Sequence, residues 1–107
     1  LNDEQYVEAA RVLAQRMMTE GGKSLDQRLQ FAWRLATARR ASKAELDLLK
    51  KEYTYRSKLY KEKPDQAKLY LDVGESKQIN KLDQVELASY MSVAQIILNL
   101  DETITRN

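Results

Sequence analysis

The chain of 107 residues is 43% hydrophobic and 32% charged, and its 18 basic and 16 acidic side chains give a net charge of +2. This balance is typical of a single compact domain, and it gives the whole chain no strong electrostatic preference for nucleic acid or membrane. Because the chain has no histidine and no cysteine, its composition excludes thiolate and imidazole nucleophiles, a haem c attachment motif and the usual zinc sites.

Apolar residues recur at helical rather than alternating spacing, and only 3 glycines and 1 proline interrupt them. This pattern predicts an all-α fold, a compact bundle of about five helices in one domain that spans the chain. The first helix is predicted to begin at Asn2, as its N-cap, and to end at the glycines of 21–22. The second is predicted to begin with a capping box of Ser24 and Gln27 and to end near Arg39. The predicted inward-facing side chains are Tyr6, Ala10, Leu13 and Met17, then Leu25, Leu29, Ala32 and Ala36, with Phe31 and Leu35 beside them.

The third predicted helix has the clearest start signal in the chain. Ser42 and Glu45 form a capping box, and the helix that follows is long and is limited by Pro64. A short fourth helix over about 65–72 precedes a polar loop over 75–81. The apolar rows predicted for the third helix are Leu46, Leu49, Tyr53 and Tyr60, and next to them Leu48, Tyr55 and Leu59.

The last predicted helix begins at Asp83, with Glu86 in the capping-box position. Residues 87–100 contain no charged side chain. A helix that spans a bilayer needs ~20 apolar residues, and polar residues interrupt this shorter stretch, so we expect no membrane insertion. The sequence instead predicts a mostly buried C-terminal helix at the centre of the bundle.

Polar residues interrupt the uncharged stretch at three- and four-residue intervals. Ser92, Gln95 and Asn99 therefore share one stripe of an otherwise apolar helix. The stripe has two interpretations. It is either structural, as a buried network with satisfied hydrogen bonds or a thin solvent-facing strip, or it is a docking face for another domain. Asp101 and Glu102 follow it, but adjacent helical residues point about 100° apart, so their carboxylates do not converge on one substrate bond.

The aromatic side chains are predicted to serve mainly in packing. Tyr6, Tyr53 and Tyr60 lie on the apolar stripes, where a half-buried ring is favoured over a surface that stacks bases. Trp33 lies one position from the main stripe of its helix, so it either packs at the edge of the core or anchors a partner, and packing is favoured.

Basic residues are concentrated in the middle of the chain. Residues 23–63 contain 12 basic and 5 acidic side chains, whereas the remainder contains 6 and 11. The densest basic patch is predicted to comprise Arg34, Arg39, Arg40, Lys43, Lys50 and Lys51. Because acidic residues are interleaved with them, the patch is interpreted as a solvated face rather than a phosphate-binding surface, and no nucleic-acid partner is expected.

Five stretches carry a resemblance to a known family. They are Leu-Asn-Asp at 1–3, Tyr-Val-Glu-Ala-Ala-Arg at 6–11, Arg-Leu-Ala at 34–36 leading to Arg39, Val-Gly-Glu-Ser at 73–76, and Leu-Asn-Leu-Asp-Glu-Thr-Ile-Thr-Arg at 98–106. In this order they resemble the C-terminal domain of unknown function of planctomycete cytochrome-c-domain proteins, also called planctomycete-specific domain proteins. Glu4 and Ala41 depart from the family, which often has proline at these positions.

The resemblance implies a large exported bacterial protein with a haem c module near its N-terminus and this domain at its C-terminal end. The haem ligands would lie in that other module, with no cofactor in this fragment and no site residues to carry over. Because the chain begins with Leu1 rather than methionine, we also expect a fragment of a longer protein. The expected location is the periplasm or the cell surface.

Three functions remain open on the sequence. The first is a non-catalytic helical module that packs against, or recruits partners to, other domains of the same parent chain, with no particular oligomeric state indicated. The second is a polar wall of an enzymatic site assembled with upstream domains, built either from Asn99, Asp101 and Glu102 or from Arg39 and Arg40. Nucleic-acid binding through the basic middle is the least favoured. The residues predicted for an interface are Ser92, Gln95, Asn99, Asp101, Arg39 and Arg40.

Overall fold

The computed structural model describes the backbone of residues 3–72 and 81–106 and the side chains of residues 4–72 and 81–101. The described backbone forms five helices and no strand, which confirms the predicted all-α bundle of about five helices. The helices are α1 (Asp3–Glu20), α2 (Leu25–Thr37), α3 (Lys43–Glu62), α4 (Pro64–Leu71) and α5 (Gln84–Arg106). The predicted N-cap at Asn2 and most of the predicted loop over 75–81 lie outside the described residues.

Three of the predicted helix starts are confirmed by their hydrogen bonds. At the start of α2, the backbone N–H of Gln27 donates to the Ser24 hydroxyl at 3.1 Å, and the Gln27 side chain accepts from the Ser24 N–H at 3.1 Å. The same reciprocal pair forms between Ser42 and Glu45 at the start of α3. At the start of α5, the backbone N–H of Glu86 donates to the side chain of Asp83 at 2.9 Å. These bonds satisfy amide groups that a helix terminus otherwise leaves without partners.

The ends of α1 and α2 differ in their chemistry. At the end of α1, a Cβ on Gly21 would lie 2.4 Å from the carbonyl oxygen of Met17, so only glycine fits there. The end of α2 comes two residues earlier than predicted, because Ala38 adopts the left-handed conformation at φ 61°. Its N–H donates to the carbonyl of Arg34 at 2.8 Å. The sequence did not signal this end, because residues with a Cβ rarely adopt that conformation.

Helix α5 lies at the centre of the bundle, in contact with each of the other four helices. Residues 87–94 are all buried, and Ile97 is also fully buried, as the uncharged sequence predicted. The side chains that surround α5 in the core include Ala10, Ala14 and Met17 of α1, Leu29 of α2, Leu49 of α3 and Leu71 of α4. Among the described helices, none combines the length and apolarity that a membrane crossing requires.

Several apolar residues predicted to flank the core are instead exposed. Leu48 and Tyr55 of α3 keep 64% and 61% of their surface accessible, and Leu35 of α2 keeps 48%. Leu48 and Tyr55 lie seven residues apart and therefore share one row of α3. The other apolar row, which contains the buried Leu49, faces α5, so the row of Leu48 and Tyr55 points away from α5. Trp33, by contrast, is 3% exposed, so it has the packing position that was favoured.

We expect Ile97→Asp to lower the free energy of unfolding by about 3 kcal/mol or more, because the new carboxylate would be buried without a partner. Lys50→Ala is the control. Lys50 pairs with Asp26 at 3.1 Å on the surface, so its removal should change stability by less than about 0.5 kcal/mol. Urea denaturation followed by circular dichroism measures both, and equal effects of the two substitutions would contradict the central position of α5.

Candidate functional site

The six residues predicted for an interface separate into three places. Ser92 and Gln95 of α5 face α3 and α4, where they join a polar cluster. Asn99 is exposed and Asp101 is half-buried further along α5, and neither lines a hollow described below. Arg39 and Arg40 are both exposed in the link between α2 and α3. The polar stripe of α5 therefore runs from the buried Ser92 to the exposed Asn99.

The first place is a polar cluster between α3, α4 and α5. The Ser92 hydroxyl donates to the carboxylate of Glu52, which also accepts from Nε of Arg56 at 3.0 Å. The Tyr70 hydroxyl donates to Oε1 of Gln95. These bonds give the polar side chains in the middle of α5 partners on α3 and α4, as burial requires.

The polar cluster borders an open hollow of about 240 Å³, which we call the α3–α4–α5 hollow. Tyr60 and Tyr70 both line it, with their ring centroids 6.4 Å apart. Burial raises the pKa of each hydroxyl above its usual value of 10.0. Both hydroxyls therefore stay protonated, as hydrogen-bond donors, throughout the neutral range. The lining residues are Arg56, Tyr60, Gln66, Tyr70, Ser92 and Gln95.

Arg39, in the link between α2 and α3, is held by its own contacts. Its two terminal nitrogens donate to the two carboxylate oxygens of Glu45 at 3.0 and 2.8 Å, and its guanidinium lies 5.0 Å from the centre of the Trp33 ring. These hydrogen bonds from Arg39, together with the one from the Ser42 backbone, lower the pKa of Glu45 from 4.5 to about 2. Arg39 is thus part of the structure that joins α2 to α3.

Arg40, unlike Arg39, lines a surface hollow of about 480 Å³ between α2 and the start of α3. Its lining combines cationic, apolar, amide and acidic side chains: Arg34 and Arg40, Phe31 and Leu46, Gln27 and Gln30, and Asp26. A second hollow of about 350 Å³ shares Phe31 and Arg34 with the first and extends it to the exposed Leu35. We call Phe31, Arg34, Leu35, Arg40 and Leu46 together the α2–α3 surface.

The sequence predicted only part of the α2–α3 surface. Arg34 and Arg40 were recognised as members of a basic patch, and Phe31 and Leu35 as residues beside the core. Their combination with Leu46 of α3 was missed, because no local pattern reports which side chains two separate helices bring together. The half-exposure of Phe31 and the exposure of Leu35 are visible only in the assembled bundle.

The described side chains provide two candidate binding surfaces, the α3–α4–α5 hollow and the α2–α3 surface. Within residues 4–72 and 81–101, no three carboxylates come together as a metal site would require. No protein-family model, curated protein or solved structure matches this chain. The function is therefore argued from the contacts and charges of the two surfaces themselves.

We expect the stabilising effect of the Arg39–Glu45 pair to depend on pH. Because the folded-state pKa of Glu45 lies below its usual 4.5, the pair stabilises the fold above that value and loses its effect as pH falls towards about 2. Glutamine at 45 keeps the capping box but removes the charge. Wild type should therefore be more stable than Glu45→Gln near pH 6, and urea denaturation should show the difference shrinking between pH 5 and pH 2. A difference independent of pH would contradict the assignment.

Proposed function

We propose that the chain is a non-catalytic helical interaction module of a larger exported, haem-c-containing bacterial protein. Its partner is an acidic, amphipathic segment of a neighbouring domain of the same parent chain, and the α2–α3 surface binds it. The exported parent protein and its haem c module are implied by the sequence resemblance of the five stretches named above. The docking mode rests on the charges and apolar contacts of the α2–α3 surface.

The observation that carries the proposal is that Arg34 and Arg40 are exposed without an ion-pair partner among the described residues. Both line the larger hollow of the α2–α3 surface. The one carboxylate among the described side chains that line the same hollow, that of Asp26, pairs with Lys50 at 3.1 Å. An arginine without a counter-ion binds carboxylates strongly, because its planar group donates two parallel hydrogen bonds. The apolar side chains that line the same hollow supply contact area for a leucine-like residue of the same segment. The matching partner is a segment that carries acidic and apolar side chains on one face.

The other surfaces are less suited to selecting a partner. An apolar hollow of about 230 Å³ lies between Trp33, Leu48 and Leu100. Its charged lining residue is Glu45, which Arg39 already neutralises, so no charge there specifies an occupant. The basic patch is also partly neutralised internally, because Lys50 pairs with Asp26 as well. These internal pairs leave fewer cations for phosphates than the sequence counts suggest.

We expect a photoreactive benzoylphenylalanine at position 35 of the parent protein to cross-link to an acidic segment of another domain of that protein. The same residue at position 69 is the matched control, because Leu69 is also an exposed leucine, 69% accessible, but lies on α4. The double variant Arg34→Gln, Arg40→Gln should lower the cross-link yield about tenfold or more. The double variant Lys51→Gln, Lys58→Gln removes the same charge from exposed positions of α3 and should leave the yield unchanged. Mass spectrometry identifies the cross-linked peptide.

Three outcomes would overturn the proposal. Equal yields from positions 35 and 69 would mean that the α2–α3 surface is not a docking site. Cross-links from position 99 to residues of an enzymatic site would favour the alternative, in which Asn99 and Asp101 form a polar wall. Submicromolar binding of duplex DNA that is lost in the double arginine variant would place a nucleic acid, not a protein segment, on the surface.

A further inference from the structure

The α3–α4–α5 hollow is lined by hydrogen-bond donors from three helices. Two acceptor atoms at the hollow are already occupied: Oε2 of Glu52 takes bonds from Ser92 and Arg56, and Oε1 of Gln95 takes one from Tyr70. A ligand that enters the hollow meets other N–H groups that lack acceptors.

The free donors come from all three helices. Arg56 uses Nε for Glu52, which leaves its terminal nitrogens for the hollow and for Tyr60. The amide of Gln66 on α4 and the Nε2 group of Gln95 on α5 have no hydrogen-bond partner within the described part of the chain. Such convergence of donors onto one space, from three separate elements, is typical of a site for an acceptor-rich ligand.

The charge of the hollow limits what the ligand can be. Among the described side chains that line the hollow, Arg56 is the one cation, and it already pairs with Glu52 at 3.0 Å. An anion with two charges would gain little there, whereas a planar group with one delocalised charge matches the guanidinium fork. The volume of about 240 Å³ lies below the range of drug-sized ligand pockets, so the ligand is small.

We propose that the α3–α4–α5 hollow binds a small organic monocarboxylate. Its carboxylate lies against the terminal nitrogens of Arg56 and accepts from the amides of Gln66 and Gln95. Tyr60 contributes a protonated hydroxyl, because burial raises the pKa of that group. This site is separate from the α2–α3 surface, and it does not depend on the docking function proposed for that surface.

The test is a titration of the full chain with sodium acetate, followed by two-dimensional ¹H–¹⁵N spectra at pH 7 and constant ionic strength. We expect saturable shifts of the Gln66 and Gln95 side-chain amides and of the Arg56 Nε–H, at ~0.1–10 mM, the range open to a ligand with so few atoms. Sodium chloride at the same concentrations should produce no saturable shift. Shifts that stay linear with acetate, or that spread evenly over the surface, would overturn the proposal.

Two substitutions separate a specific site from general charge attraction. Arg56→Gln should weaken acetate binding about tenfold or more. Lys58→Gln removes the same charge from an exposed position of the same helix and should change binding less than about twofold. If Arg56→Gln does not fold, Gln66→Ala tests the site instead, because Gln66 is exposed and its replacement should leave the fold intact. The loss of the Gln66 amide should weaken acetate binding about threefold. Equal losses from Arg56→Gln and Lys58→Gln, unchanged binding in Gln66→Ala, or tighter binding of inorganic phosphate than of acetate would contradict the site.

Discussion

The structure depends on one constraint, which is that the uncharged stretch of α5 has to be covered on every side. A helix with a single apolar face needs one partner, but residues 87–94 are all buried. Four amphipathic helices are therefore required around it, each contributing one apolar row. A single residue, Lys63, links α3 to α4, which begins at Pro64, and both helices pack against α5. The buried Arg11 of α1 donates to the carbonyl of Leu71 at 2.6 Å and so joins α1 to the end of α4.

The same constraint explains why charged groups lie close to the core between α3 and α5. The Ser89 hydroxyl donates to the carbonyl of Val85 in the same helix, at 2.7 Å. The Ser92 hydroxyl instead donates to the carboxylate of Glu52 on α3, which also accepts a hydrogen bond from Arg56. Ser92 and Gln95 thus each have a polar partner on a neighbouring helix. The α3–α4–α5 hollow lies at the edge of this network.

The sequence predicted the parts of this fold that local chemistry determines. The capping box of Ser42 and Glu45 needs only four consecutive residues, and it forms as predicted. The end of α2 was placed two residues too late, because a left-handed Ala38 has no sequence signal. The exposure of Leu48 was missed for a different reason: α3 has two apolar rows, and only the packed bundle decides which one faces α5. Of the α2–α3 surface, only Arg40 was predicted as an interface residue. Phe31 and Leu46 were predicted to pack in or beside the core, and they meet only through the packing of α2 against α3.

The contrast between Arg39 and Arg40 shows how a surface for binding arises from such packing. The two residues are adjacent and chemically identical, and the sequence assigned them to one patch. Glu45 caps α3 through the Ser42 backbone and, with the same carboxylate, binds Arg39, which then lies over Trp33. A carboxylate occupied in this way has little capacity for a second guanidinium, so Arg40 remains exposed beside the α2–α3 hollow. Charge left over after the fold has used its internal pairs is what a partner can recognise, and it cannot be read from charge counts alone.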